Sequence, residues 1–119
     1  LNGVVIETES AVEGRYEYDE DKIIQTASIN KQCITQVERA GFTAIEEVIA
    51  LTKNLHYDQI PIEQGQWVFT QLDLTSPFAT ESLPFSVEIK QNLADKMTIS
   101  EIRENDVPIG KIRFTVAKP

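Results

Sequence analysis

Residues 41–54, GFTAIEEVIALTKN, dictate how the rest of the chain must fold. Ile45, Val48, Ile49, Leu51 and, just beyond, Leu55 recur at helical spacing, while Ala44 and Ala50 fill narrower contacts. A surface helix needs an apolar stripe roughly 100° wide. This one is apolar on nearly every side, so other parts of the chain must cover it. Its start carries a T-x-x-E capping box. Thr43 can accept the backbone N–H of Glu46, and the Glu46 side chain can reach back to the N–H of Thr43. An N-cap of this kind contributes about 0.5–2 kcal/mol. The helix is expected to end near Tyr57–Gln59, ahead of Pro61.

On either side the hydrophobic period is two. Val4 to Thr8 is β-branched and apolar and predicts a strand. The acidic centre Asp19-Glu20-Asp21 suggests a hairpin whose second arm is about Lys22–Ile29, and residues 30–41 read as loop or a short helical turn. After the helix, QWVFTQLDL is strand-like. FSVEIKQNL alternates, with Phe85, Val87, Ile89 and Leu93 on one face and Ser86, Glu88, Lys90 and Asn92 on the other. KMTISEIR and PIGKIRFTV follow, with turns around Asn92–Asp95 and Glu104-Asn105-Asp106, so residues 85–116 predict a three-stranded meander. Pro108 cannot donate to a ladder and belongs at an edge or bulge. The expected order is strand, strand, helix, then four antiparallel strands. An α+β hotdog fold, an antiparallel sheet wrapped around one long central helix, satisfies that order in a single domain, residues 1–119. Cone-like α+β folds compete, but they place helices before the sheet or at its end.

The chain has 119 residues, enough for one core. With 41% apolar residues and no run approaching the roughly 20 of a membrane helix, it reads as an ordinary globular domain without a membrane span. Cys33 is alone, which excludes an internal disulfide and is compatible with a cytoplasmic setting. The net charge of −8 argues against nucleic acid as a partner. That charge is uneven. Residues 1–84 hold 5 Lys/Arg and 14 Asp/Glu, whereas residues 85–119 hold 6 and 5. An anionic ligand would approach the C-terminal third, although a surface tuned for solubility gives the same asymmetry.

With the elements in this order, residues 18–58, YDEDKIIQTASINKQCITQVERAGFTAIEEVIALTKNLHYD, resemble the FcoT-like fatty-acyl thioesterases, a hotdog family. The similarity is clearest at Gly41-Phe42 and Ala44-Ile45-Glu46, and SPFATESLPFSVEI resembles a later phrase of that family. The resemblance implies action on acyl groups carried as thioesters of coenzyme A or acyl carrier protein. No cofactor is implied beyond the CoA or phosphopantetheine of the substrate. Hotdog sheets join edge to edge, which implies a homodimer or a dimer of dimers. The family's catalytic tyrosine and two asparagines align with Thr35, Thr43 and Thr52, so its catalytic residues are not retained here. Ala40-Gly41-Phe42 occupies the place of the catalytic histidine of the related hydroxyacyl-carrier dehydratases.

Thioester hydrolysis needs a carboxylate to activate water and an N–H to polarise the carbonyl. Many hotdog thioesterases resemble one another in placing an acid on the central helix and using its N-terminus as donor. Here the acid would be Glu46 or Glu47, and the donors the amides around Phe42–Ala44. Each acid also has a structural reading: Glu46 in the capping box, Glu47 as a first-turn acid favoured by the helix dipole. Glu47 lies about 100° further round and could face a dimer cleft. Gly41 permits a tight entry to the helix, next to Phe42. Trp67 and Phe69, with Phe78 and Phe85, could line an acyl tunnel or simply pack the core. His56 reads as a helix-end or surface histidine and Cys33 as an inert thiol. No Cys/His/carboxylate spacing suggests a metal site. Lys90, Lys96, Lys111 and Arg113 are candidates for the phosphates of CoA or phosphopantetheine, spread by alternation over two faces. Two non-hydrolytic readings compete: a dehydratase-like or addition enzyme in a biosynthetic cluster, and an acyl-binding or assembly module.

Overall fold

The computed structural model describes residues 4–7 and 19–118. The elements run β1 (Val4–Glu7), α1 (Glu20–Ile24), β2 (Ala27–Asn30), β3 (Cys33–Gln36), α2 (Ala44–Gln59), β4 (Gln66–Leu74), β5 (Phe85–Leu93), β6 (Met97–Glu104) and β7 (Val107–Ala117). Every strand pairing is antiparallel, and the strands form one sheet in the order β1-β4-β7-β6-β5-β3-β2. The molecule is therefore an α+β domain, with an antiparallel sheet and one long helix packed on it. No helix among the described residues is long and apolar enough to cross a membrane.

The helix follows from its sequence. Thr43 is the N-cap with both halves of the capping box in place, and α2 ends at Gln59, before Pro61. Six consecutive residues, Glu47 to Thr52, are buried, as are Leu55 and His56. α2 packs against β3, β4 and β5 of the sheet and against α1. Gly41, at φ +93°, makes the sharp entry that a Cβ would disfavour.

The meander over residues 85–116 is present as β5-β6-β7. Asn105 and Asp106 both take positive φ, which makes the two-residue turn whose twist suits a hairpin. Pro108 sits beside the register shift between Ile102 and Arg103, where the ladder has already slipped. The alternation of β5 does not run to its end. The pairing shifts between Ile89 and Gln91, and Leu93, expected on the core face, is 51% exposed. A bulge inserts one residue and turns the following side chains over.

Two expectations before α2 are overturned. Of the extended arm expected over Lys22–Ile29, residues 22–24 belong instead to α1, while residues 27–29 are extended as expected, in β2, which pairs with β3. Asp19 caps this turn by accepting the N–H of Asp21, and Ile23 is wholly buried. The acidic cluster is thus a helix start. The first arm expected for that hairpin lies outside the described residues. Residues 33–36 are a strand, pairing with β2 on one side and β5 on the other. Among the described residues, three strands and a short helix therefore precede α2, rather than two strands.

Candidate functional site

The first turn of α2 carries two adjacent glutamates with opposite surroundings. Glu47 is fully buried. Its Oε1 accepts from Gln36 Nε2 at 2.6 Å and from the Ala40 N–H at 3.0 Å. Its Oε2 accepts from the Phe42 N–H at 2.9 Å and lies 3.0 Å from Arg39 Nε. An ionised carboxylate offers about four acceptor positions, and here three hydrogen bonds and the Arg39 ion pair surround it. Burial alone would raise its pKa, but the Ala40 amide, Gln36, the Phe42 amide and Arg39 together outweigh burial and hold it below the ordinary carboxylate range. Glu47 stays ionised as the anchor of residues 36–42.

The anchor extends into the sheet. Gln36, buried on β3, donates to Glu47 and to Thr26 Oγ1, and its Oε1 accepts the N–H of Phe85 at 3.0 Å. Arg39 also donates to the Phe42 carbonyl at 2.8 Å and stands 4.9 Å over the Phe85 ring. Phe78 meets that ring edge-on, and buried Glu104 accepts the N–H of Ala79. Nothing local in the sequence marks Gln36 or Arg39 for this network, and Glu104 reads there only as part of a turn. The one available hint is compositional: Arg39 is a rare base in the acidic N-terminal part.

Glu46 sits differently. It is half-buried, and among the described residues only its Oε1 is engaged, by the N–H of Thr43 at 3.0 Å and the Thr43 hydroxyl at 2.9 Å. Thr43 Oγ1 in turn accepts the N–H of Glu46. Of the amide trio expected as carbonyl donors, Phe42 and Thr43 already serve the two glutamates. Ala44, the first residue of the helix, has no such bond among the described residues.

The other expected site residues are dispersed. Thr35 is exposed on β3, its hydroxyl 3.7 Å from Cys33 Sγ. Thr52 is buried, and its hydroxyl donates to the Val48 carbonyl inside the helix. Trp67 and Phe69 are core residues of β4, with Trp67 Nε1 donating to the Ile60 carbonyl. His56 is not a surface residue. It is fully buried, 4.8 Å from the Trp67 ring and 5.0 Å from Phe114. Its Nδ1 lies 2.7 Å from the Thr52 carbonyl, which can only accept, so Nδ1 carries the proton and Nε2 accepts from the Thr98 hydroxyl. Burial lowers its pKa from 6.5 to about 4, against the opposing bond to Thr52, so it is neutral at pH 7. Among the described residues no group of three or more His, Cys, Asp or Glu side chains could hold a metal ion.

Compared with protein-family models, curated proteins and solved structures, the chain gives no match.

Proposed function

We propose that the chain is a hotdog-type domain that hydrolyses acyl thioesters of coenzyme A or acyl carrier protein, with Glu46 as the base. One observation carries the reading: at the start of α2 a half-exposed carboxylate is oriented through Oε1 while its Oε2 has no partner among the described residues. In this mechanism Glu46 Oε2 takes a proton from water and the water oxygen bonds to the thioester carbon. The Ala44 N–H and the positive end of the helix dipole stabilise the oxyanion. The C–S bond then breaks, and the thiolate leaves and takes up the proton. The sheet is the wrapping and α2 the filling, in a homodimer or dimer of dimers.

The test is thiol release from a panel of acyl-CoAs. Glu46→Gln keeps a capping-box residue while removing the base, so folding persists. Loss of at least about a hundredfold in kcat is expected, the usual scale for a general base. Hydrolysis that survives Glu46→Gln, or a wild-type chain that releases no thiol from any member, overturns the reading. A second reading, thioester handling without hydrolysis, draws on the enclosure of Glu47 and Thr52, which leaves Glu46 the sole acid of the helix start open to substrate. Mass spectrometry on enoyl- and hydroxyacyl-thioesters separates the two, because addition or elimination leaves the thioester intact.

A further inference from the structure

Arg39, Lys53, Lys90 and Arg103 are each tied to a carboxylate. Lys111 and Arg113 are tied to none among the described residues, although the chain holds 19 acids against 11 bases. Two residues apart on β7, they project from the same face of the sheet, the one turned away from α2, as Ile112 and Phe114 are buried on the other. Both border a shallow groove of about 110 Å³ with Gln71 and Asp73 of β4 and Ile99 of β6. Strand register sets Lys111 between Asp73 and Glu101, the latter tied to Arg103, and sets Arg113 between Gln71 and Ile99.

The arginine is held in place. Its Nε donates to Thr70 Oγ1 at 3.3 Å, and the Thr70 hydroxyl lies 3.1 Å from the Arg113 carbonyl, which it can reach as donor. Thr70 is the extra residue where the β4 register shifts. The bulge thus fixes one edge of the guanidinium and leaves the terminal amino groups without a partner among the described residues.

We propose that this groove binds a nucleoside phosphate. The Arg113 fork and the Lys111 ammonium suit phosphate oxygens. Asp73 repels a bare anion, yet its carboxylate can only accept hydrogen bonds, which suits ribose hydroxyls on a ligand that carries its phosphate elsewhere. Ile99 offers an apolar seat for the ring, and the Gln71 amide both donates and accepts at the edge of a base. Lys90 is excluded from the site by its ion pair with Glu88. The site lies across the sheet from the start of α2 and does not depend on the reaction there. A free nucleotide and the nucleotide end of coenzyme A present the same chemistry.

Isothermal titration of the full chain with ADP, CoA, pantetheine and inorganic phosphate tests it. ADP and CoA bind, while pantetheine and phosphate bind far more weakly. Arg113→Gln and Lys111→Gln each weaken ADP and CoA by at least about tenfold, the usual scale for a lost charged hydrogen bond. Asp73→Asn weakens them too. Equal affinity for ADP and CoA assigns the groove to free nucleotides, and tighter binding of CoA assigns it to the carrier. The proposal is overturned by no binding of ADP, by pantetheine matching CoA, or by phosphate matching ADP, which would mean an adventitious ion only. It is also overturned if Asp73→Asn tightens ADP, the sign of plain charge attraction. Lys111 and Asp73 are exposed, so their variants carry the test even if Arg113→Gln fails to fold.

Discussion

Glu46 and Glu47 are the same residue type one position apart, and their roles divide on what surrounds each carboxylate. Glu46 satisfies the cap and keeps one oxygen without a partner among the described residues, whereas Glu47 is closed by Gln36, Arg39 and two backbone amides. Glu47→Gln places an NH2 against existing donors and leaves Arg39 without its counter-charge. A loss of about 3 kcal/mol or more is expected in urea unfolding. Glu46→Gln should change stability by less than about 1 kcal/mol, because Gln also completes a capping box. His56 supplies a pH dependence. Its folded pKa of about 4 lies below the ordinary 6.5, so the unfolded chain binds more protons between these values. That part of the stability is fully present above pH 6.5 and is lost as pH falls through 4, by about 3 kcal/mol in all. Glu47, also depressed, adds to the loss in acid. Urea midpoints measured from pH 7.5 to 4 should fall, and less steeply in His56→Phe, which keeps the ring stack without titrating.

Among the elements, α2 and the β5–β7 meander are legible because their cues are local: a capping box, helical spacing, alternation and turn residues. α2 then depends on being enclosed. Leu51 is wholly buried within it, and Leu51→Ala should cost about 2–5 kcal/mol, read as a lowered Tm. The β6–β7 turn holds Asp106 at φ 70°, where glycine is easier, so Asp106→Gly should raise stability by up to about 1 kcal/mol. β3 was illegible for a physical reason. Four residues give barely two periods of alternation, and Gln36, a buried polar residue, breaks the apolar pattern. Gln36 faces the core because Glu47 and the Phe85 N–H await it there, a reason that lies 11 and 49 residues away. The acidic run at residues 19–21 misled in the opposite way: a helix cap and a hairpin turn use the same residue types.

At the scale of the whole molecule, the sheet sets β1 and β7, far apart in sequence, on either side of β4. Gly65, at φ +84°, lies just before β4, and a Cβ there would collide with the Ala117 carbonyl at the end of β7. Gly65→Ala should therefore lower the Tm by several degrees, the effect of about 1–2 kcal/mol in a domain of this size. The local sequence by itself determined α2, its cap, the meander and the uneven charge, since each depends on residues within a few positions of one another. The tertiary structure alone decided that Glu47 is enclosed, that Glu46 keeps an oxygen without a partner among the described residues, that His56 is neutral and buried, and that Lys111 and Arg113 share a groove with Asp73. Burial and hydrogen-bond partners come from strands far away in the chain, and it is these that set what a carboxylate, an imidazole or a guanidinium can do.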